Sequence, residues 1–368
     1  MERIRQFNKK EPVFVITAVC TFLSILVVPP SAAYADYVNW PVLVLLFCLM
    51  AVVAGCKQSG IFEWLSQTLL SKTDNVKSIG IVLLLLCFLS SMLITNDVAL
   101  LTFVPLTIGL FSLDRGDRLI FMIVMETVAA NLGSLVTPIG NPQNLYLFSA
   151  YHLDAGSFFR ITLPLGGICL LLITPITLFA MHNGRIHVAF GGKVSVNKRD
   201  SLKYLVLFVL CLLTVLRILN CWICLAAVLV VLLLTDRKIF GKVDYVLLLT
   251  FLCFFLFVGN IAQIPVIRES LSKIITGREM VVSALLSQGI SNVPAAVMLS
   301  SFTGNAKALL LGVNIGGLGT PVASLASLIS FKLYCGSANS RKGRYLAVFS
   351  VINFALLAVL LIIAELIL

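Results

Sequence analysis

"LSSMLITNDVALLTFVPLTIGL", residues 89–110, is apolar enough for the centre of a lipid bilayer, yet Thr95, Asn96 and Asp97 sit in its middle and Pro105 follows. An ionised aspartate at membrane depth is costly, so such a residue marks a pathway or a site. A second stretch has the same design. "ITNDVA" (94–99) aligns with "ISNVPA" (290–295) at an offset of 196. Downstream, "ANLGSLVTPIGNPQNLYLFSAY" from Ala130 aligns with "VNIGGLGTPVASLASLISFKLY" from Val313 at an offset of 183. Asn131, Gly133, Leu135, Thr137 and Pro138 thereby match Asn314, Gly316, Leu318, Thr320 and Pro321. Upstream, the apolar segments 42–70 and 246–275 also correspond. The same elements recur in the same order, which is an internal duplication.

The composition agrees with a membrane setting. The chain of 368 residues is 60% hydrophobic and only 12% charged, which excludes an ordinary soluble domain and fits an all-α polytopic membrane protein. The net charge of +11 lies in short gaps between apolar runs, not in a basic face interleaved with aromatics, so nucleic acid is excluded as a partner. The ten cysteines lie mostly inside apolar runs and read as buried free thiols, Cys221 and Cys224 included. The segment after Arg3, Arg5, Lys9 and Lys10 imitates a signal peptide but reads as a first span, because the duplication gives it a counterpart.

Plain spans are expected near 13–30, 38–56, 158–182, 202–218, 221–235, 245–261 and 345–367. The segments 77–112 and 280–304 read as re-entrant helical hairpins with polar tips. Those at 119–150 and 305–334 read as helices broken by Gly and Pro. The expected organisation is a first repeat over 12–182, a loop and linking span over 183–220, and a second repeat over 221–368. With the N-terminus inside and both hairpins re-entrant, 21 of the 27 Lys and Arg residues fall on the cytoplasmic side, in the N-terminus and in loops 57–77, 113–118, 183–203, 236–242 and 332–344. The same parity makes the two repeats antiparallel. Inverted repeats with paired broken helices are the signature of secondary transporters, with the site at the repeat interface.

Irregular backbone at membrane depth is tolerated only where it is buried or lines a cavity. Exposed carbonyls, hydroxyls and amide oxygens can hold a hard cation such as sodium, and helix N-termini after each break can face an anion. Asp97 and Glu126 are the carboxylates expected deep in apolar segments, where either could serve coupling. Asp97 also suits a helix cap, and Glu126 a structural pairing. His152, His182 and His187 show no metal-ligand spacing, and no H-E-x-x-H or G-x-S-x-G motif points to an enzyme.

"SSMLITNDVALLTFVPL", "ANLGSLVTPIGNPQN", "GISNVPAAVML" and "NIGGLGTPVAS" resemble the ion transporter superfamily over nearly the whole chain. That superfamily groups divalent anion/sodium symporters, arsenite permeases and sodium/proton antiporters, and the chain is similar to its citrate-transporter-like permeases. The resemblance implies a first sodium site at Thr95, Asn96 and Gly133 with Ser91 nearby, and a second at Ser287, Asn292 and Gly319. It implies that substrate meets Asn96, Asp97, Thr137, Pro138, Asn141, Asn292, Val293, Thr320 and Pro321, with Asp97 and Glu126 available for coupling. Thr-Asn-Asp at the first tip is similar to the arsenite permeases, and "GNPQN" to the anion symporters. The function this implies is secondary transport of a dicarboxylate or inorganic oxyanion coupled to sodium or protons, by alternating access. Metalloid oxyanion efflux, sodium/proton antiport and an anion channel are the alternatives. No cofactor beyond a coupling ion is expected. A homodimer, a bacterial inner membrane location and a cytoplasmic N-terminus complete the expectations.

Overall fold

In a computed structural model of the chain, the structure describes residues 12–111, 117–181, 184, 196–337 and 340–367. The N-terminal cations, Arg115, His182, Arg185, His187 and Lys193 lie outside the described residues, as do position 112 of the first expected hairpin and most of the loop at 183–195. Among the described residues the fold is all-α, with no strand.

The order of elements repeats. In the first half, α1 (Pro12–Val27) and the short α2 (Tyr34–Tyr37) precede a long apolar α3 (Trp40–Gln58) and a short α4 (Ile61–Leu70). The hairpin arms α5 (Val76–Ile94) and α6 (Asn96–Leu110) come next. They are followed by the two halves of the broken helix, α7 (Asp117–Ser134) and α8 (Pro142–Ala150), and by a long α9 (Ala155–Ala180). In the second half, α10 (Lys198–Val215), α11 (Cys221–Thr235) and a 3-10 turn (Arg237–Lys242) precede α12 (Tyr245–Ala262) and α13 (Pro265–Ile275). The arms α14 (Glu279–Ile290) and α15 (Asn292–Ser300), the halves α16 (Ala306–Ile315) and α17 (Leu325–Cys335), and a final α18 (Lys342–Ile367) then match α5 to α9 one by one.

Local chemistry sets these boundaries. Asn39, Asn75, Asn141, Asn197, Asn220 and Asn305 each cap the helix that follows by accepting an early backbone N–H, as do Asp154 and Asp244. Caps of this kind contribute about 1 kcal/mol each. Pro41 and Pro142 sit in the first turn, where a missing donor costs nothing. Helices α3, α5, α9, α12 and α18 are long and apolar enough to cross a membrane, by length and composition. The arms α6 and α14 and the helices α16 and α17 are shorter apolar pieces.

Each unit of hairpin and broken helix packs on itself: α5 and α6 lie against α7, and α14 and α15 against α16. The returning arm of each hairpin also packs against the second half of the other repeat's broken helix, α6 on α17 and α15 on α8. Helices α10 and α11 instead pack on α3 and form a flank of the molecule. The two halves are therefore interlocked, and their breaks meet between the hairpins.

Candidate functional site

Both hairpin tips turn on a strained residue. Thr95 lies between α5 and α6 at φ 72° and ψ 149°; Ser291 lies between α14 and α15 at φ 76° and ψ 155°. That region is essentially restricted to glycine and costs on the order of 1–3 kcal/mol, and such strain clusters at functional sites. The surroundings hold it in place twice over. The backbone N–H of Asn96 donates to the carbonyl of Gly140 at 3.2 Å, and that of Asn292 donates to the carbonyl of Ala323 at 2.9 Å. The Thr137 hydroxyl donates to the Met92 carbonyl, and the Thr320 hydroxyl to the Gln288 carbonyl. Gly140 and Ala323, Thr137 and Thr320 are pairs at the offset of 183. One tip-and-break unit is thus built twice.

The breaks are joined by a buried amide network. Asn131 Oδ1 accepts from Asn96 Nδ2 at 3.0 Å and from Ser324 Oγ at 2.9 Å, while its Nδ2 donates to Ser327 Oγ at 3.3 Å. Its partner in the duplication, Asn314, accepts from Asn141 Nδ2 at 3.0 Å and donates to Asn144 Oδ1 at 2.7 Å. Asn292 is buried with its amide against Gly317, whose carbonyl Asn131 also reaches. Asn96 thus ends in the network and Asn292 packs beside it at Gly317, so backbone and amides are satisfied that lipid could not satisfy.

Beside the first tip lies a cavity of ≈ 580 Å³. Thr95, Asp97 and Asn141 line its inner part, and Leu325 of α17 brings in the other repeat. Its outer part carries Lys57, Glu63, Lys242 and Asp244, at the end where α3 stops and α12 starts. The cations are engaged there: Lys57 Nζ donates to the Leu101 carbonyl at 3.3 Å and Lys242 Nζ to Gln58 Oε1 at 2.7 Å. Asp97 is the second residue of α6, past the N-cap position, which Thr95 holds without a side-chain hydrogen bond. Its Oδ1 is buried without a hydrogen-bond partner among the described residues. A carboxylate at a helix N-terminus, half-solvated by a cavity, can bind and release a cation or a proton.

The other expected residues fall into three groups. Asn96 lies just behind the cavity wall, buried against Asn131; Ser91 and Gly133 pack on each other deeper still. Thr137 and Thr320 spend their hydroxyl protons on the hairpins, and Pro138 is buried beside them. Asn292, Val293, Thr320 and Pro321 belong to the second tip and its break and do not line this cavity. Ser287 donates to the Ser283 carbonyl at 2.7 Å, and Gly319, at φ 100°, faces the Gln288 amide. The position equivalent to Gly133 is Gly316, which lies against Ala284 and Ser287 as Gly133 lies against Phe88 and Ser91. Glu126 is fully buried, takes a hydrogen bond from Thr107 on one oxygen, and sits between α6 and α7 away from the cavity. Asn144, Ser324 and Gln288 carry no signal beyond polarity in an apolar segment, although the pairing of Asn131 with Asn314 was visible in the duplication.

A family model described as citrate transporter matches residues 7–309 of the chain. An uncharacterized transporter of Methanocaldococcus jannaschii is 35% identical over 89% of this chain and 90% of its own length. An inner membrane protein of Escherichia coli is 30% identical over 83% of this chain and 82% of its own. A silicon efflux transporter of Oryza sativa is 30% identical over 38% of this chain and 28% of its own.

Proposed function

The chain belongs to the citrate transporter family and is an integral-membrane transporter of that type, and from this premise we propose that it moves a small anion by alternating access, coupled to a proton or sodium ion at Asp97. The observation that carries the reading is the cavity at the first tip. There a partly solvated carboxylate with an unpartnered oxygen lies within one wall of Asn141 and Thr95. A cation held at Asp97 would neutralise the one acidic group at the inner end and let an anion approach the amide and hydroxyl groups beside it. Release of the cation would expel the anion. With loops 57–77 and 236–242 in the cytoplasm, the cavity opens inward and this conformation is the inward-facing one.

A second reading is favoured by one observation. The tips and breaks carry amides and hydroxyls but no Lys or Arg, and the cavity's cations are held at its mouth. Such a lining suits an uncharged hydroxyl-rich acid, the chemistry of silicic or arsenous acid, as well as it suits a carboxylate. A thermal-shift screen of the purified protein against di- and tricarboxylates, inorganic oxyanions and silicic acid, each in sodium or potassium at several pH values, separates the readings. A ligand that binds the folded state raises its apparent stability by RT ln(1 + [L]/Kd), about 2.7 kcal/mol at a hundredfold excess over Kd.

A further inference from the structure

The two tip-and-break units differ in chemistry three residues before each tip. The first hairpin has Met92 there and the second has Gln288. The Gln288 side chain is woven into its break. Its Nε2 donates to the carbonyls of Ala284 at 2.9 Å, Gly316 at 2.9 Å and Leu318 at 3.0 Å. Its Oε1 accepts from the Thr320 backbone N–H at 2.8 Å, and the Thr320 hydroxyl closes back on the Gln288 carbonyl at 2.9 Å.

Three carbonyl oxygens converging on one nitrogen form a pocket of negative potential, of the kind that coordinates a hard cation in a broken helix. An amide –NH2 has two hydrogens for those three acceptors and supplies the positive end of a dipole in place of a full charge. In the first repeat the carbonyl equivalent to Leu318, that of Leu135, is satisfied differently. Asn144 Nδ2 donates to the carbonyls of Ser134, Leu135 and Thr137 at 3.0 to 3.1 Å, and Asn144 belongs to α8, not to the hairpin. Three residues before the tip, therefore, the first hairpin offers its break no side-chain amide, whereas the second offers Gln288.

We propose that the Gln288 amide occupies the place of a coupling cation in the second repeat, so that this repeat is locked without an ion and the chain couples to at most one cation, at the Asp97 tip. The inference rests on reading the tips as the ion sites of a transporter. It assigns the second repeat a fixed, ion-independent role and leaves the first as the element whose occupancy changes.

Equilibrium binding of radioactive sodium to the purified full chain, by scintillation proximity, tests it together with thermal shift. The expected wild-type count is one sodium per chain or none, and Asp97→Asn removes any sodium-dependent shift. Gln288→Glu in the Asp97→Asn background places a carboxylate among the freed carbonyls and should gain one sodium per chain at pH 8, with a sodium-dependent rise in melting temperature absent from Asp97→Asn alone. Two sodium ions per wild-type chain, or a folded Gln288→Glu variant that gains none, would overturn the proposal. The wild-type count decides even where the variant fails to fold. Where the wild type binds one sodium, a faulty assignment of Asp97 shows up separately, as an Asp97→Asn protein that still binds it.

Discussion

Asn131 and Asn314, equivalent residues of the two repeats, each accept a hydrogen bond from the opposite repeat: Ser324 Oγ donates to Asn131 at 2.9 Å, and Asn141 Nδ2 donates to Asn314 at 3.0 Å. Ser324 and Asn141 are themselves equivalent at the offset of 183, so the pair is one contact made twice. Asn314→Ala would remove the donor to Asn144 Oδ1 in a buried site and leave Asn141 Nδ2 with Ser134 Oγ alone. Each lost partner costs about 1–3 kcal/mol. Melting temperature in detergent should fall well below wild type, and Asn131→Ala should do the same. Wild-type melting in both variants would remove the network from any role in holding the breaks.

Close approach at the first break can be tested at one glycine. A Cβ on Gly133 would lie 2.2 Å from the Phe88 carbonyl oxygen and 2.4 Å from Ser91 Oγ. Backbone cannot yield as a flexible side chain does, so Gly133→Ala should destabilise by about 1–3 kcal/mol and push the first hairpin off its break. Gly289→Ala has open space around it and serves as the control. Equal melting temperatures for the two variants would contradict this packing.

Asp117, at the start of α7, holds the start of α18 through Arg344 at 2.7 Å and Arg341 at 3.2 Å. The hydrogen bond from Arg344, then the charges of Arg344 and Arg341, keep its carboxyl below the usual carboxylate range. A depressed folded value means the contribution is present above the unfolded value, about 3.9, and is lost as pH falls through the folded one. Asp117→Asn should therefore lower the melting temperature at pH 7, with the difference from wild type shrinking toward pH 3 and in 1 M salt. A difference independent of both would mean the pair acts through shape, not charge.

The inverted arrangement predicts opposite labelling of two open, exposed glycines. On a cysteine-free background, Gly241→Cys in the 3-10 turn should react with an impermeant thiol reagent from the cytoplasmic side only. Gly304→Cys, between α15 and α16, should react from the outside only. Labelling of both from one side would remove the antiparallel repeats.

Much of this was legible in the chain. Asn96 and Asn292 stand out because polar residues in an apolar run are expensive, and the offset of 196 between the two tips made their matching explicit. Where the reading stopped, the reason is geometric. The alignment fixes which residues are equivalent but not which equivalent residues still do the same work. Leu135 and Leu318 correspond, yet one carbonyl is satisfied by Asn144 from a following helix and the other by Gln288 from a hairpin 30 residues earlier. The alignment matched Gly316 to Gly133, yet the resemblance pointed to Gly319 for the second site: the second break has three glycines within four residues, and it is Gly316 that packs against Ser287. Asp97 is a further case. Its residue type fits a cap, but the helix starts at Asn96 and the N-cap position falls on Thr95, which puts Asp97 one residue inside α6.

The central claim is that Asp97 couples an ion to solute movement through the cavity it lines, and proteoliposomes test it most directly. Uptake of the solute found by thermal shift should be measured under separately imposed pH and sodium gradients, for wild type and Asp97→Asn. The substitution keeps the shape of the side chain and removes its titratable charge. Wild-type uptake should saturate and become concentrative under at least one gradient, and the Asp97→Asn protein should ignore that gradient or only equilibrate the solute. Concentrative uptake by Asp97→Asn with wild-type dependence on pH and sodium would contradict it, as would wild-type flux that neither saturates nor responds to either gradient.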